Sequence, residues 1–451
     1  MKQTFQLFFI SLIFGISIIS CSLSLGDGNT ILNNYSKEIK NNNELDRDVD
    51  IIPDKYNTGA RPDTVFQKLT SEGAINDVYI KLREDKEKPD NSCYIITTYV
   101  PKTAPYFPNE VTIEDYDFSD KKFVVYNPER FDCEKTVTFK NCKFKGFANC
   151  GPYDENKLSF VFEHCTFTGG VNEVNITLNW CKIGGFARDG MNPLKNFVVT
   201  NCLICDLVPE GNQNGTHIDG FQIYGRDSTI GGNILFNNVR FEIPSIYFEG
   251  NTSAVNACVM FQLEFGDVND CYFKNLICNG GGKWFPLYLS LGKENIKTGK
   301  YFNQKNINLI NIDVSNNFGT IFYTGSYNED AKVENVKHLE NLYVSSVWKD
   351  DKNITHVICT NDTSFDKILT VKTDNGDFTF EIPHCPSNWA LGGEIDKKVN
   401  PDEKLVDKNG RSYKTYRYED MPFDIDCQIT TNVNSLTCYD GEKQIRNIKS
   451  L

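Results

Sequence analysis

Positive charge is scarce in this 451-residue chain: 47 lysines and arginines stand against 60 acidic residues, which gives a formal net charge of −13. That balance argues against nucleic acid as a partner and against unaided attraction to an anionic lipid surface. It would also repel an acidic polysaccharide unless cations lie between the two. Histidine is scarce as well, with five in the chain, so each one can be considered separately as a candidate functional residue.

Long apolar runs are missing after the first 20 residues. Residues 8–19 are uncharged and apolar and follow Lys2, but the run is shorter than the roughly 20 residues of a spanning helix. The pattern is typical of an export signal, so we expect a signal peptide at 1–22, no membrane-spanning segment and a secreted, extracellular protein. As an alternative, residues 18–21 resemble a bacterial lipobox, which would leave the protein lipid-anchored at the cell surface through Cys21.

Paired metal-ligand motifs are also absent. The spacing C-x-x-C occurs once, at Cys202 and Cys205, without the second pair that a zinc site needs. Of the 16 cysteines, those after Cys21 are odd in number, so at least one is free unless the protein pairs through it.

What the chain does contain is a recurring six-residue pattern. It has an apolar residue, two others, then Cys, Val or Ile, one variable residue and a final apolar residue, and positions four and six share one face of a strand. A strand-rich unit at about 20-residue spacing without helical patterns predicts an all-β solenoid over about 110–335. The copies are FKNCKF (139–144), FEHCTF (162–167), LNWCKI (178–183), VTNCLI (199–204), FNNVRF (236–241), VNDCYF (268–273) and LINIDV (309–314), with GFQIYG, CVMFQLE and PLYLSLG interpreted as intervening repeats.

The fourth position of the pattern predicts a buried column, because equivalent residues of parallel strands lie about 4.8 Å apart. We therefore interpret the cysteines at this position as stacked buried thiols rather than metal ligands or disulfides. The position before it is predicted to be a turn, where Asn tolerates a left-handed backbone, so a structural role is favoured for His164. The predicted thiols are Cys142, Cys165, Cys181 and Cys202, and the predicted turn residues are Asn141, His164, Trp180, Asn201, Asn238, Asp270 and Asn311.

The domain organisation follows from where this pattern begins and fades. Residues 23–60 are polar and lack periodicity, which predicts a flexible leader. We expect the solenoid domain at 61–340 and a small β-rich capping module at 341–451, with a hairpin at Asn375-Gly376. Cys359, Cys385, Cys427 and Cys438 in that module are candidates for disulfides.

Several motifs resemble one protein family. NTGARPDT (57–64), RDGM (188–191), HIDGFQ (217–222) and NLICNGGGKWFPLYL (275–289) are similar, in this order, to motifs of the secreted right-handed parallel β-helix proteins of the pectate-lyase-like superfamily. The likeness covers about residues 57–330. It implies a right-handed parallel β-helix that binds or processes carbohydrate, including a polysaccharide lyase acting on uronic acids.

The sequence also departs from enzymes of that superfamily. Gln222 stands where a polygalacturonase has a second acid, so the paired carboxylates of an inverting hydrolase are not apparent. The Arg-x-Pro-x-x-Arg stretch of pectate lyases with an arginine base is absent. The resemblance therefore leaves the reaction open.

The turn at 217–222 is the candidate site. In the catalytic interpretation His217 is the general base, Asp219 and Asp189 orient it or hold Ca²⁺, and Gln222 binds a sugar hydroxyl. Arg188, Arg226, Lys283 and Tyr288 would bind the substrate on the same face. In the structural interpretation Asp219-Gly220 is a turn, Gln222 extends an amide ladder and His217 caps it.

Three function hypotheses follow. A polysaccharide lyase needs these groups to converge, a carbohydrate-binding surface protein or adhesin needs only exposed amides and aromatics, and a structural surface protein needs no groove. The expected partner is a polysaccharide or cell-surface glycan, and we expect a monomer.

Overall fold

The computed structural model describes residues 51–69, 73–75, 78–84, 92–96, 110–125, 134–150, 157–186, 188–207, 218–223, 231–243, 246–248, 251–252, 257–262, 266–280, 287–290, 304–314, 322–324, 331–337, 342–361, 366–383, 404–406, 412–415 and 425–451. They all belong to one compact unit, Glu44–Leu451. Every regular element among them is a β-strand, so the predicted all-β class is confirmed for this part of the chain.

The strands fall along the chain in the following order. The first half contains β1 (Gly73–Ile75), β2 (Val78–Arg83), β3 (Cys93–Ile96), β4 (Glu110–Glu114), β5 (Asp117–Phe118), β6 (Lys122–Val125), β7 (Lys135–Lys140), β8 (Lys143–Phe144), β9 (Phe147–Asn149), β10 (Leu158–Glu163), β11 (Thr166–Phe167), β12 (Val171–Asn179), β13 (Lys182–Phe186), β14 (Met191–Leu207), β15 (Asp219–Ile223) and β16 (Gly231–Ile243). The second half contains β17 (Ile246–Phe248), β18 (Asn251–Thr252), β19 (Ala257–Gln262), β20 (Val268–Gly280), β21 (Leu287–Ser290), β22 (Gln304–Val314), β23 (Phe322–Thr324), β24 (Ala331–Lys337), β25 (Leu342–Lys349), β26 (Thr355–Asn361), β27 (Lys367–Thr373), β28 (Gly376–Ile382), β29 (Lys404–Val406), β30 (Ser412–Thr415), β31 (Ile425–Ile429), β32 (Leu436–Asp440) and β33 (Lys443–Ile448).

Strands β1–β16 and β19–β24 form one large curled sheet of 22 strands. Its pairs are parallel except β1–β2 and β2–β3. The longest ladder runs through β4, β7, β10, β12, β14, β16, β20, β22 and β24, and a second joins β15, β19, β21 and β23. The sheet is therefore largely parallel, as predicted, while its closure into a right-handed β-helix stays a prediction.

Alternation along each strand builds the core of this sheet. In β10 Phe160 and Phe162 are fully buried, whereas the alternate residues Ser159, Val161 and Glu163 are half-exposed. Because the parallel register places equivalent residues of adjacent strands side by side, the ring of Phe139 stacks on that of Phe162 with centroids 5.3 Å apart. In the same way the ring of Phe144 stacks on that of Phe167 at 5.0 Å. Burying each such ring contributes roughly 1.5–3 kcal/mol, so a stacked aromatic core stabilises the first half of the sheet.

The predicted column of buried thiols is confirmed. Cys142, Cys165, Cys181 and Cys202 are each 0% exposed and none is in a disulfide. The Sγ atom of Cys202 accepts the backbone N–H of Cys181 at 3.3 Å, which places neighbouring thiols one strand apart. Burial raises the pKa of Cys165 and Cys202, so these groups are neutral, small and apolar.

The predicted turn residues all have a left-handed backbone. The φ angles of the seven residues lie between 50° and 57°, in the region that Asn tolerates best among residues with a side chain. Amide side chains hydrogen-bond along the stack: Asn238 Nδ2 donates to Asn201 Oδ1 at 2.7 Å, and Asn311 Nδ2 to Asn275 Oδ1 at 3.1 Å. We call the stacked positions Asp115, Asn141, His164, Trp180, Asn201, Asn238, Asn275 and Asn311 the first turn column.

The placement of Asp270 in that column was wrong. The register pairs Gly232 with Asn269 and Ile234 with Cys271, so Asp270 stacks on Asn233. The position in the first turn column that was predicted for Asp270 is occupied by Asn275. A second turn column therefore exists, five residues ahead of the first on each long strand. It consists of Asn175, Asn196, Asn233, Asp270 and Asn306.

The intervening segments are not repeats of their own. Residues 219–223 pair with β19, and β19 pairs with β21, so they form a separate ladder within the same repeat. Asn201 and Asn238 are neighbours in the column although 37 residues separate them in the chain. The repeat is therefore near 20 residues early in the sheet but about twice as long later, because long connections are inserted between the two ladders.

Residues 51–67, which we call the N-terminal strap, lie across the first turn column. Asp54 is 0% exposed and Thr58 6%, so the segment 51–60, which its polarity predicts to be part of a flexible leader, packs on the sheet in this structure. Backbone atoms supply most of its contacts, which composition does not reveal. They join Ile51 O to Asn238 Nδ2 (3.0 Å), Gly59 N to Trp180 O (2.9 Å), Arg61 N to Asn141 Oδ1 (2.7 Å) and Gln67 N to Asp115 O (2.8 Å).

The C-terminal strands form two antiparallel sheets around a second hydrophobic cluster. Strands β25, β26 and β31 form one sheet and β28, β27, β32 and β33 the other. The hairpin predicted at Asn375-Gly376 is confirmed, since Thr373 pairs with Gly376. Cys359, Cys427 and Cys438 are buried and none of them is in a disulfide, so the expected disulfides are wrong for these three; Cys385 lies outside the described residues. The boundary between the two domains at 340 stays a prediction.

Candidate functional site

Two Asp-Gly turns stack on one another at the start of β14 and β15. The backbone N–H of Asp219 donates to Oδ1 of Asp189 at 2.9 Å, and the N–H of Gly190 donates to the carbonyl oxygen of Asp219 at 2.9 Å. A Cβ atom on Gly190 would lie 2.5 Å from the carbonyl oxygen of Gly220. Glycine is therefore required here by close backbone approach, and the two predicted acids are brought together.

The Asp219 carboxyl group is buried inside this stack. It is 0% exposed, and its Oδ1 accepts the backbone N–H of Ala257 at 3.0 Å. Burial and the neighbouring charge of Asp189 raise the pKa of Asp219 well above its ordinary value, while the Ala257 bond opposes them. The Asp219 carboxyl group is therefore removed from solvent in this conformation.

Of the two carboxyl groups predicted to bind Ca²⁺, only that of Asp189 is a candidate ligand in this structure. Both oxygens of Asp189 already accept hydrogen bonds, Oδ1 from Asp219 and Oδ2 from Asn192 Nδ2 at 3.1 Å. Burial disfavours the charged form of Asp219, which is the form that binds a hard cation. In the described ranges no group of three or more His, Cys, Asp or Glu side chains is arranged to hold a metal ion. Ca²⁺ binding by Asp189 stays a prediction.

Gln222 lies in a stacked row of amides on the outer face of the sheet. Its neighbours Phe221 and Ile223 are fully buried, so the alternation expected for a groove-facing Gln222 is observed, and Gln222 itself is half-exposed. The register places Asn172 beside Asn192 and Met191 beside Phe221. Asn172, Asn192 and Gln222, which we call the amide row, therefore follow one another across three strands.

Arg188 belongs to a cluster of cations beside the beginning of the amide row. The side chains of Arg188, Lys122 and Lys145 are all exposed. Partial burial lowers the pKa of Lys122, and the positive charges of Arg188 and Lys145 lower it further. The backbone N–H of Phe123 donates to the carbonyl oxygen of Gly146 at 2.8 Å, which places the preceding residues Lys122 and Lys145 next to each other. No carboxylate forms an ion pair with these three side chains within the described residues. We call them the cationic corner.

The other predicted residues cannot be placed in this site. His217, Arg226 and Lys283 lie outside the described residues. The backbone of Tyr288 pairs with Met260, which in turn pairs with Gln222, so Tyr288 occupies the register position two strands beyond the amide row. Met260 is 3% exposed, which interrupts the row on the side of Tyr288. The catalytic roles of His217, Asp189 and Asp219 stay predictions.

Sequence reasoning missed four residues of this surface: Lys122, Lys145, Asn172 and Asn192. The asparagines follow Gly-Gly-Val (169–171) and Asp-Gly-Met (189–191), and the alignment of these two turns with Asp-Gly-Phe (219–221) is a signal that would have found them. No sequence motif marks Lys122 or Lys145. Their proximity to Arg188 depends on the lengths of the connections between strands.

No helix long and apolar enough to cross a membrane occurs in the described part of the chain. Comparison of the chain with family models, with curated proteins and with solved structures found no match.

Proposed function

We propose that this protein is a secreted right-handed parallel β-helix protein of the pectate-lyase-like type, and that it binds an acidic polysaccharide on the face formed by the amide row and the cationic corner. The parallel ladders that stack equivalent residues support the β-helix, and connections between parallel strands are nearly always right-handed. We take the protein to act as a monomer, with the signal peptide or a lipid on Cys21 directing it outside the cytoplasm.

The observation that carries the proposal is the juxtaposition of the amide row with three cations that lack carboxylate partners in the described structure. Amides offer both a donor and an acceptor, so Asn172, Asn192 and Gln222 suit sugar hydroxyl groups. The cationic corner suits a carboxylate or sulfate on the same chain. In a protein of net charge −13, such a cluster overcomes the general repulsion of a polyanion locally.

The geometry favours binding over turnover in the described part of the site. Asp219 is buried and hydrogen-bonded to the backbone, so it does not reach a sugar ring in this conformation. The lyase alternative rests on His217, with Arg226 or Lys283 as neutralising cations. It is tested by the absorbance of unsaturated products in the same binding assays, with and without Ca²⁺.

The test is a titration of the purified protein with polygalacturonate, alginate, a sulfated galactan and neutral dextran. We expect binding to at least one acidic polymer, weakened by salt, and none to dextran. The double variant Arg188→Glu, Lys122→Glu should weaken binding at least about tenfold, since each charge-assisted hydrogen bond contributes about 1.5 kcal/mol or more. Gln222→Ala should weaken it less.

Lys305→Glu provides a matched charge control, because Lys305 is an exposed lysine on β22, three strands beyond β14 along the longest ladder. It should bind like the parent. If the parent binds none of the acidic polymers, or if Lys305→Glu is as weak as the double variant, the proposed face is wrong.

A further inference from the structure

The strands that carry the proposed glycan face follow one another in a fixed order along the large sheet. Strand β6 pairs with β9, β9 with β12, β12 with β14, and β14 with β15. Because neighbouring strands lie about 4.8 Å apart, the face extends for about 19 Å from β6 to β15. A polysaccharide that lies along this direction therefore presents several successive sugar residues to the face.

The positive charges of the face are gathered at its β6 end. Lys122 is the first residue of β6, and Lys145 lies just before the start of β9. Arg188 precedes β14, yet its guanidinium group acts on the β6 end. Partial burial is the largest cause that lowers the pKa of Lys122, and the charge of Arg188 comes next, ahead of that of Lys145. The cationic corner is therefore one localised site for an acidic group, at one end of the face.

The remainder of the face is neutral. The register aligns Asn172, Asn192 and Gln222 on three successive strands, and Met260, which is 3% exposed, comes next. These four described positions include no lysine or arginine with which a second acidic sugar could pair. Amide groups both donate and accept hydrogen bonds, so this part of the face suits the hydroxyl groups of uncharged sugars.

Asp189 adds a negative charge beside the middle of the amide row. Its Oδ2 accepts a hydrogen bond from Nδ2 of Asn192 at 3.1 Å, and its Oδ1 accepts the backbone N–H of Asp219 at 2.9 Å. These two bonds hold the carboxylate in place on a half-exposed residue. An acidic sugar bound to Asn192 would bring a second carboxylate close to that of Asp189, and such a like-charge contact weakens binding. A hydroxyl group in that place could instead donate to Asp189.

We propose that the face selects its glycan by the order of charge along the chain. One acidic sugar binds the cationic corner and neutral sugars follow along the amide row. Asp189 is a specificity-determining residue that excludes a second acidic sugar at Asn192. The ligand is then a polysaccharide in which isolated acidic sugars are separated by neutral ones, rather than a homopolymer of uronic acid. This inference rests on the proposed function and adds the charge pattern of its ligand.

The test is isothermal titration of the purified full chain with three tetrasaccharides, in a buffer that contains a chelator. They are the repeat of gellan, with one glucuronate among neutral sugars, tetragalacturonate, in which every sugar is acidic, and neutral maltotetraose. We expect the gellan repeat to bind at least about tenfold more tightly than tetragalacturonate, as for one uncompensated contact of like charges. Maltotetraose should bind more weakly than the gellan repeat, because it leaves the cationic corner empty.

Two variants test the order of charge with the ligands held constant. Asp189→Asn removes the negative charge and keeps an acceptor for the N–H of Asp219. It should raise the affinity for tetragalacturonate about fivefold or more and that for the gellan repeat less. Gln222→Lys places a cation at the other end of the amide row, on a half-exposed residue outside the Asp-Gly turns. It should also shift the preference towards tetragalacturonate.

Asp377→Asn is the matched charge control, because Asp377 is an exposed acid on β28 in the C-terminal four-stranded sheet. It should keep the parent's preference. The inference is overturned if a folded Asp189→Asn variant retains that preference, or if Asp377→Asn narrows it equally. If Asp189→Asn does not fold, the same decision rests on Gln222→Lys.

The same titrations separate this inference from the proposed function. If the protein binds neither the acidic tetrasaccharides nor the acidic polymers, the glycan face itself is wrong. If it binds acidic glycans but prefers tetragalacturonate to the gellan repeat, only the order of charge is wrong. The inference also fails if Ca²⁺ makes tetragalacturonate the tighter ligand and Asp189→Asn abolishes that effect, since Asp189 would then bridge acidic sugars instead of excluding them.

Discussion

Asp189 and Asp219 are joined through the backbone, because the Asp189 carboxylate accepts the N–H of Asp219 at 2.9 Å. The relationship is repeated one strand further on, where Asp219 accepts the N–H of Ala257 at 3.0 Å. Each acid thus satisfies the first amide of the next strand. These hydrogen bonds between the Asp-Gly turns align successive strands. They also explain why the Asp219 carboxyl group is removed from solvent.

Replacing Asp219 by Asn should keep or raise stability at neutral pH. The pKa of Asp219 is raised in the folded state, so its contribution is fully present below the unfolded pKa and is lost as pH rises through the folded value. Asparagine keeps an acceptor for Ala257 N–H and does not ionise. In thermal melts, Asp219→Asn should exceed the parent near pH 7 and match it near pH 4.

Asp219→Ala separates the hydrogen bond from the charge. It removes the acceptor and leaves a buried N–H on Ala257, which costs about 1–3 kcal/mol. Its melting temperature should therefore lie below that of Asp219→Asn at every pH. Equal melting temperatures for the two variants would show that the bond to Ala257 contributes nothing.

How far the sequence predicts this fold depends on which repeat is considered. Asn201 and Asn238 were found because each precedes an inward Cys or Val. Asp270 precedes Cys271 in the same way, yet it belongs to the second turn column. Both columns place Asn or Asp before an inward apolar residue, so a local pattern cannot distinguish them. The distinction depends on pairing between strands.

The candidate site is less predictable for the same reason. Asp189, Asp219 and Gln222 lie within recognisable turns, and the structure brings them together. Lys122 and Lys145 reach Arg188 only because β6 and β9 are neighbours in a ladder, which no local pattern in the sequence encodes. The strap was missed because its contacts are made by backbone atoms and by a buried Asp54 in a stretch of polar composition.

The buried thiols should resist alkylation until the protein unfolds. Burial raises the pKa of Cys165 and Cys202, and the thiolate is the reactive form. Cys150 is only half-buried, so among the described cysteines it should react first with iodoacetamide at about pH 8. Mass spectrometry of the labelled peptides gives the order. Early labelling of Cys165 or Cys202 in the native protein would contradict a closed core.

At Asn196, glycine should be tolerated better than alanine. Asn196 has a φ of 53° and hydrogen bonds to Asn175 and Asn233 at 2.8 and 3.0 Å. Both variants lose these bonds, but alanine also pays about 1 kcal/mol or more for the left-handed backbone. Urea unfolding should therefore rank Asn196→Gly above Asn196→Ala.

Thr177, a half-exposed residue on β12 without a positive φ, supplies the control for that comparison. There the usual order should hold, with Thr177→Ala above Thr177→Gly, because glycine loses more backbone entropy in a strand. The same order at both positions would remove the evidence for strain at Asn196.

Arg240 and Glu242 form a fully buried ion pair beneath the strap, and replacing one of them should be far worse than replacing both. Each side chain is 0% exposed, and Arg240 also donates to Pro53 O at 3.3 Å and faces the ring of Tyr343 at 5.7 Å. Arg240→Met would leave the Glu242 carboxylate buried without its main partner, which costs about 3–5 kcal/mol. The double variant Arg240→Met, Glu242→Leu should recover to within about 1 kcal/mol of the parent, since apolar residues of similar volume often replace a buried pair without loss.

The exposed pair Lys140–Glu163 is the control for this cycle. Its atoms lie 3.1 Å apart with side chains 43% and 30% exposed, and removal of either partner should cost about 1 kcal/mol or less. Chemical unfolding of the singles and doubles gives the coupling energy for each pair. A double variant at 240 and 242 that is as unstable as Arg240→Met would mean that the contacts of Arg240 with the strap and with Tyr343, rather than its charge pairing with Glu242, hold this part of the sheet together.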